Sequence, residues 1–199
     1  MTSSALPTPL VSPEQLLAAL AAGESPVIID CSFDLADTGA GERAFAAGHL
    51  PGAVYAHLDA DLAGAKTGRN GRHPLPARDA WAATLGRLGV TPGRAVVVYD
   101  AQGGMYAARA WWMLLWAGHR AASVLDGGLG GWKAAGGRLE AGAAAPVAAP
   151  AAYPIGDSLV PAIDADTLHK ALGRVTVLDA RAGERYRGEV EPLDKRAGH

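Results

Sequence analysis

Residues 97–109 read VVYDAQGGMYAAR: an apolar run, a turn with paired glycines, then a helical pattern. A loop of this kind can gather backbone N–H groups at the positive end of a helix, where they hold an anion or activate a nucleophile. The position from which a nucleophile would act carries Asp100. No acid or base stands at a spacing that would pair with it, so Asp100 is read as a cap that accepts backbone N–H bonds. The one thiol, Cys31, ends an apolar run and is followed by SFDL, with no glycine turn and no helix start. Reactive thiols need an electropositive, partly exposed setting, so Cys31 is expected to be structural. His57, His73, His119 and His169 show no metal-ligand spacing, and no metal or other cofactor is expected. Neither a G-x-G-x-x-G nor a GK[ST] phosphate loop comes after the first strand, and Asp126-Gly127-Gly128 reads as a turn into the helix that carries Trp132.

These residues must be positioned by an alternating set of elements. Ser12 to Gln15 is a capping box with Pro13 at the first helical position, which predicts a helix over 13–21 ended by Gly23. Residues 27–30 (VIID), 95–99 (AVVVY) and 122–125 (ASVL) are short apolar runs of the kind found in strands buried on both faces. Helical segments are expected at 43–47, 77–88 and 105–117, with a long glycine-rich loop at 61–76. Trp111, Trp112 and Trp116 fit a helix packed on a sheet better than a ligand-stacking surface. Strands alternating with helices predict an α/β fold with a parallel sheet flanked by helices.

Residues 140–155 are rich in Ala and Pro and read as a linker. The residues beyond this linker repeat the pattern of the first fifty. PAID at 161–164 matches PLVS at 9–12, VTVLD at 175–179 matches VIID at 27–30, and Gly198-His199 matches Gly48-His49. The register is close: 19 positions separate Asp30 from His49, and 20 separate Asp179 from His199. This argues for a duplication, with a first domain at 9–139 and the opening of a second at 156–199. A strand with one or two helices cannot bury enough surface to fold alone. Residues after about 155 are therefore expected to lean on the first domain or to be poorly ordered.

Composition limits the function classes. Hydrophobic residues make up 49% of the 199-residue chain and charged residues 19%, enough for a packed core. The net charge of −2 gives no basic field for nucleic acid or anionic lipid, so neither nucleic acid nor membrane is expected as a partner. A single cysteine and an N-terminus without a signal-peptide pattern suit a reducing, cytoplasmic setting. Oligomeric state is not readable from these features.

The stretches VIIDCSF, AAGHLPGA, VVVYDAQGGMYAARAWWML, AGHRAASVLDGGLGGW and VLDARAGERYRGEVEPLDKRAGH together resemble the two-domain rhodanese family, the thiosulfate and 3-mercaptopyruvate sulfurtransferases. That resemblance implies a tandem of rhodanese-like domains, the first silent and the second carrying a nucleophilic Cys on a strand–loop–helix turn. It implies transfer of a sulfane sulfur from thiosulfate or 3-mercaptopyruvate, through a Cys persulfide, to cyanide or a thiol. The Cys loop of the second copy would fall beyond His199, so this chain is expected to be inactive alone. GERYRG at 183–188 resembles the family stretch whose Arg binds the anionic substrate, which makes Arg185 the substrate-binding candidate, with Arg187 and Arg196 weaker ones. His49, in AAGHLPGA, is either a contributor to the catalytic surroundings or a structural His at a turn. The alternative expectation is a free-standing, non-catalytic rhodanese-like module with a binding or regulatory role.

Overall fold

The computed structural model describes Leu6, residues 9–144 and residues 151–192. The chain divides into two units, Met1–Pro161 and Ala162–His199.

In the first unit, β1 (Leu10–Val11), β2 (Val27–Asp30), β3 (Val54–Tyr55), β4 (Val96–Tyr99) and β5 (Ala122–Leu125) form one parallel sheet in the order β1-β5-β4-β2-β3. Both central strands, β2 and β4, are buried along their whole length. Their continuous Val/Ile runs are what a sheet covered on both faces requires. Alternate residues feed two cores. Val27, Ile29, Val96 and Val98 face Trp81 and Leu85 of α3 (Arg78–Arg87) and Met113 and Leu114 of α4 (Met105–Trp116). Ile28, Val97 and Tyr99 face Leu16 of α1 (Pro13–Ala21), Phe45 of α2 (Ala40–Ala47) and Trp132 of α5 (Gly128–Ala134).

The three expected strands and the helices around them are present, with ends shifted by a few residues at most. The Ser12 capping box forms in full: Gln15 N–H donates to Ser12 Oγ at 3.2 Å, and Ser12 N–H donates to Gln15 Oε1 at 2.8 Å. The tryptophans also have their expected structural places. Trp111 Nε1 donates to the Ala122 carbonyl at 3.1 Å, and Trp112 stacks on Trp116 with centroids 6.1 Å apart. Two strands, β1 and β3, were not expected. Each has two residues, too few for an alternation signal, and each exists through its register with a longer neighbour, Leu10 opposite Val124 and Val54 opposite Ile29.

The linker requires a correction at its far end. Residues 151–159 are a strap on the first unit. Tyr153 is buried; its N–H donates to the Ala82 carbonyl at 2.9 Å, and its hydroxyl lies 3.1 Å from His119 Nδ1. Gly156 N–H donates to the Ala117 carbonyl at 3.0 Å, and Arg78 Nη2 donates to the Gly156 carbonyl at 2.6 Å. Gly86 is required where α3 meets the strap, because a Cβ there would collide with the Ala151 carbonyl. The first compact unit runs to Pro161 and takes in these residues. Composition averages over an Ala/Pro run and misses the single aromatic residue that anchors it.

In the second unit, Asp164 caps α6 (Ala165–Ala171), accepting from Thr167 N–H at 2.7 Å. The strand expected at 175–179 does not form. Only an isolated bridge pairs Leu172 with Val175, and Leu178 is 88% exposed. A strand-like sequence becomes a strand only beside a partner strand. No described residue of this unit is buried as a whole.

The first unit holds all five tryptophans, so its unfolding can be read from their fluorescence. Tyr153→Ala lowers its urea-unfolding stability by about 3 kcal/mol, as expected for a buried aromatic; a side chain in a mere linker would change it by under about 0.5 kcal/mol. Burial also pushes the His119 pKa down. A depressed histidine pKa means the unfolded chain takes up the proton first. The contribution is therefore complete above the unfolded value of about 6.5 and is lost as pH falls below it. The urea midpoint should drop between about pH 7.5 and 5.5, and His119→Gln should flatten that drop.

Candidate functional site

The loop from Asp100 to Gly104 leaves the C-terminal end of β4 and opens α4. Gly103 and Gly104 sit at φ 83° and 95°, the left-handed region that only glycine adopts without strain. Their turn aims successive N–H groups inward. The Asp100 carboxylate, 1% exposed, occupies the centre. Its Oδ1 accepts from Gln102 N–H at 2.9 Å and Gly104 N–H at 2.8 Å; its Oδ2 accepts from Tyr106 and Ala107 N–H, each at 2.9 Å. Tyr106 and Ala107 lie in the first turn of α4, where backbone donors have no intrahelical acceptor. The expected capping role of Asp100 is thus what the structure shows, extended to four donors.

The loop is pinned from below. Leu129 N–H donates to the Asp100 carbonyl at 3.0 Å, and Ala101 N–H donates to Ser32 Oγ at 3.1 Å. Gly128 is required beneath the loop, because a Cβ there would strike the same Asp100 carbonyl. Asp30 lies buried at the end of β2 and accepts from Ser32 N–H at 2.8 Å. Burial, above all, raises its pKa, with the nearby Asp100 charge a smaller cause in the same direction. Tyr99 accepts from Leu50 N–H at 3.1 Å, and its own pKa is driven up by burial and by Asp30.

Cys31 lies directly after β2 and is fully buried, its Sγ 4.0 Å from the Ile29 carbonyl. Burial, reinforced by Asp30, Asp100 and Asp61, pushes its pKa well up. This is the reverse of what a nucleophilic thiolate needs, and it agrees with the structural role expected.

His49 is buried at the end of α2. Its Nδ1 is 2.7 Å from the Phe45 carbonyl, its ring stacks on Phe45 at 3.8 Å, and its backbone exchanges two 2.9 Å hydrogen bonds with Glu140. Each of these partners belongs to α2 or is Glu140; none belongs to the Asp100 loop. In the second unit, Arg185 lies in α7 (Gly183–Tyr186), and its Nη2 meets Glu191 Oε1 at 2.8 Å and Oε2 at 3.0 Å. Arg187 pairs with Glu189, and Arg196 lies outside the described residues.

A further cluster borders the Asp100 loop. The Phe33 ring makes edge contacts with Tyr106, His57 and His73 at centroid distances of 5.7, 5.1 and 6.5 Å. Asp59 Oδ1 lies 3.4 Å from His73 Nε2 and 2.9 Å from Lys66 Nζ. Burial lowers the His73 pKa although Asp59 works to raise it. Arg109, from α4, holds the loop that brings these residues together, donating to the Leu62 carbonyl at 2.8 Å and the Pro74 carbonyl at 3.2 Å. Sequence spacing does not join Asp59 to His73, because a glycine-rich excursion separates them and carries no local signal of the contact.

A sequence model described as "Rhodanese-like domain" matches residues 12–135, the span that holds the sheet's central strands, the Asp100 loop and α5. The chain belongs to the rhodanese family. Over 96% of its length, this rhodanese-family chain is 42% identical to a Pseudomonas aeruginosa protein named "Probable 3-mercaptopyruvate sulfurtransferase". Human 3-mercaptopyruvate sulfurtransferase is 35% identical over 98% of the chain. The chain covers 67% of the length of each. The solved 3-mercaptopyruvate sulfurtransferase of Leishmania major superposes with a TM-score of 0.80 at 27% identity, over 96% of this chain and 52% of that one. The rhodanese fold and its parallel sheet flanked by helices are therefore shared with sulfurtransferases.

The carboxylate and its donors can be separated by substitution. Asp100→Ala strands four N–H groups, two of them among buried residues, and lowers stability by about 3 kcal/mol or more in urea unfolding. In a Cys31→Ser background, Asp100→Cys places a thiol among the same donors. Its pKa, read from thiolate absorbance, should fall below the ordinary value of about 8.5. A value at or above about 8.5 would mean that the donors do not converge on that position.

Proposed function

We propose that the chain represents the silent first domain and the opening of the second domain of a two-domain sulfurtransferase. The whole enzyme moves a sulfane sulfur from thiosulfate or 3-mercaptopyruvate to cyanide or a thiol acceptor. One observation carries the reading: the loop that would cradle a thiolate already holds the Asp100 carboxylate on four backbone N–H groups. A thiolate in such a loop attacks the outer sulfur of thiosulfate, breaking the S–S bond and releasing sulfite, or the thiol sulfur of 3-mercaptopyruvate, breaking the C–S bond and releasing the enolate of pyruvate, which takes up a proton; either way the sulfur stays as a persulfide. A carboxylate that already spends its oxygens on the loop has neither the nucleophilicity nor the room for that step. The residue that performs it belongs to the second copy of the repeat.

Arg185 is the group in this chain suited to hold the anionic donor, because a guanidinium can face a carboxylate or sulfonate-like group with two donors at once. Glu191 engages it here and stands in for that anion. His49 serves the fold of the first domain, through Phe45 and Glu140, rather than the reaction.

The 199-residue chain should show no turnover above the buffer blank in a thiosulfate:cyanide assay or in a 3-mercaptopyruvate assay, and Cys31→Ser should leave that result unchanged. Activity abolished by Cys31→Ser would overturn the reading, because it would make the buried thiol the nucleophile.

A further inference from the structure

Between Asp61 and Asp79 the chain has no acidic residue, but it has Lys66, Arg69, Arg72 and Arg78, in a protein whose net charge is −2. Arg78 is engaged elsewhere, with the Gly156 carbonyl and over the Trp116 ring. The other three lie on one loop, and residues 65–72 are all exposed.

The loop is built rather than loose. Gly64 N–H closes its base on the Pro74 carbonyl at 2.9 Å, and Arg109 holds both of its ends from α4. Inside it, Thr67 N–H donates to Asn70 Oδ1 at 2.9 Å, and Asn70 Nδ2 donates to the Ala65 carbonyl at 3.0 Å. Gly68 and Gly71 both sit at φ 80° and make the two reversals. At the base, Asp59 takes up Lys66 and His73. Arg69 and Arg72 stand at the exposed outer positions.

We propose that this loop is a docking surface for an acidic face of a partner protein. A small-anion site needs donors that converge in a partly buried recess, whereas these guanidinium groups lie spread along an exposed turn. The cavity of about 720 Å³ in this unit, beside Phe45, Tyr55 and Arg87, includes none of them. A nucleic acid would call for a basic field wider than one loop on a chain of net negative charge. A short loop tied down at its base, with an excess of basic groups outside the Asp59 pairing, instead suits electrostatic steering of a complementary protein surface, where it acts on encounter and register. The loop also borders the candidate site, since His73 packs near Phe33, and Phe33 packs near Tyr106 in the first turn of α4. A partner seated on it would be held beside that site. The inference stands on charge and loop geometry and does not depend on the sulfur-transfer reading.

The test is fluorescence anisotropy of a labelled oligoglutamate peptide with the full chain. Saturable binding is expected at low salt, weakening by about tenfold or more as ionic strength rises from about 0.02 to 0.2 M. Arg69→Glu with Arg72→Glu should abolish saturation, while Lys133→Glu with Arg138→Glu, at exposed positions in and just after α5, should leave it unchanged. Tryptophan-monitored urea midpoints check that both pairs fold; if the first pair is destabilised, Arg69→Ala and Arg72→Ala carry the comparison. Equal binding by the Arg69/Arg72 variants would overturn the proposal. So would displacement of the peptide by thiosulfate where sodium chloride of matched ionic strength has no effect, since that would reveal a small-anion site.

Discussion

The Asp100 carboxylate, gathered by four backbone N–H groups, is the interaction on which the rest of the domain depends. It satisfies donors that the start of α4 would otherwise leave open, and it closes the turn from β4 without an outside ligand. Charge-assisted bonds of this kind are among the stronger ones a protein makes. The cost of burying the carboxylate is offset by filling its acceptor positions with donors, as buried charges require. A loop of catalytic shape thereby becomes a structural joint. Its glycines hold this geometry: Gly103 and Gly104 for the reversal, Gly128 for the close approach beneath.

This joint also sets the character of its surroundings. A second buried carboxylate, Asp30, lies one strand away, and its pKa is raised by burial above all, with the Asp100 charge adding a little in the same direction. Cys31, beside it, is held as a neutral thiol by burial and by both acids. The same field that disarms Cys31 would disfavour an anionic substrate at the Asp100 loop. The cationic groups nearby lie across the Phe33 cluster, on the loop that Arg109 ties down.

Much of this was legible in the residues. The buried strands at Val27–Asp30, Val96–Tyr99 and Ala122–Leu125 are continuous apolar runs, and a parallel sheet covered on both faces admits little else. Asp100 ahead of two glycines and a helix announces a cap; that it would collect four donors depends on the αL pair, which only the folded turn reveals. Leu10–Val11 and Val54–Tyr55 are strands because of their neighbours, so no local pattern marks them. The same holds, with opposite sign, for residues 175–179, whose strand-like pattern has no partner strand among the described residues. Tyr153 was hidden in an Ala/Pro run, and the Asp59–His73 contact in a glycine-rich excursion. Both depend on contacts across the chain rather than on composition.

Amide hydrogen exchange at Gln102, Gly104, Tyr106 and Ala107 tests the central claim most directly. Tyr106 and Ala107 have no intrahelical acceptor, so Asp100 is the acceptor that holds their N–H groups. All four amides should exchange slowly in the unmodified chain. In an Asp100→Gly variant all four should speed up together, while Ala110 and Met113, deeper in α4, keep their protection. Fast exchange at these four amides in the unmodified chain, or protection that survives the loss of the carboxylate, would contradict the account.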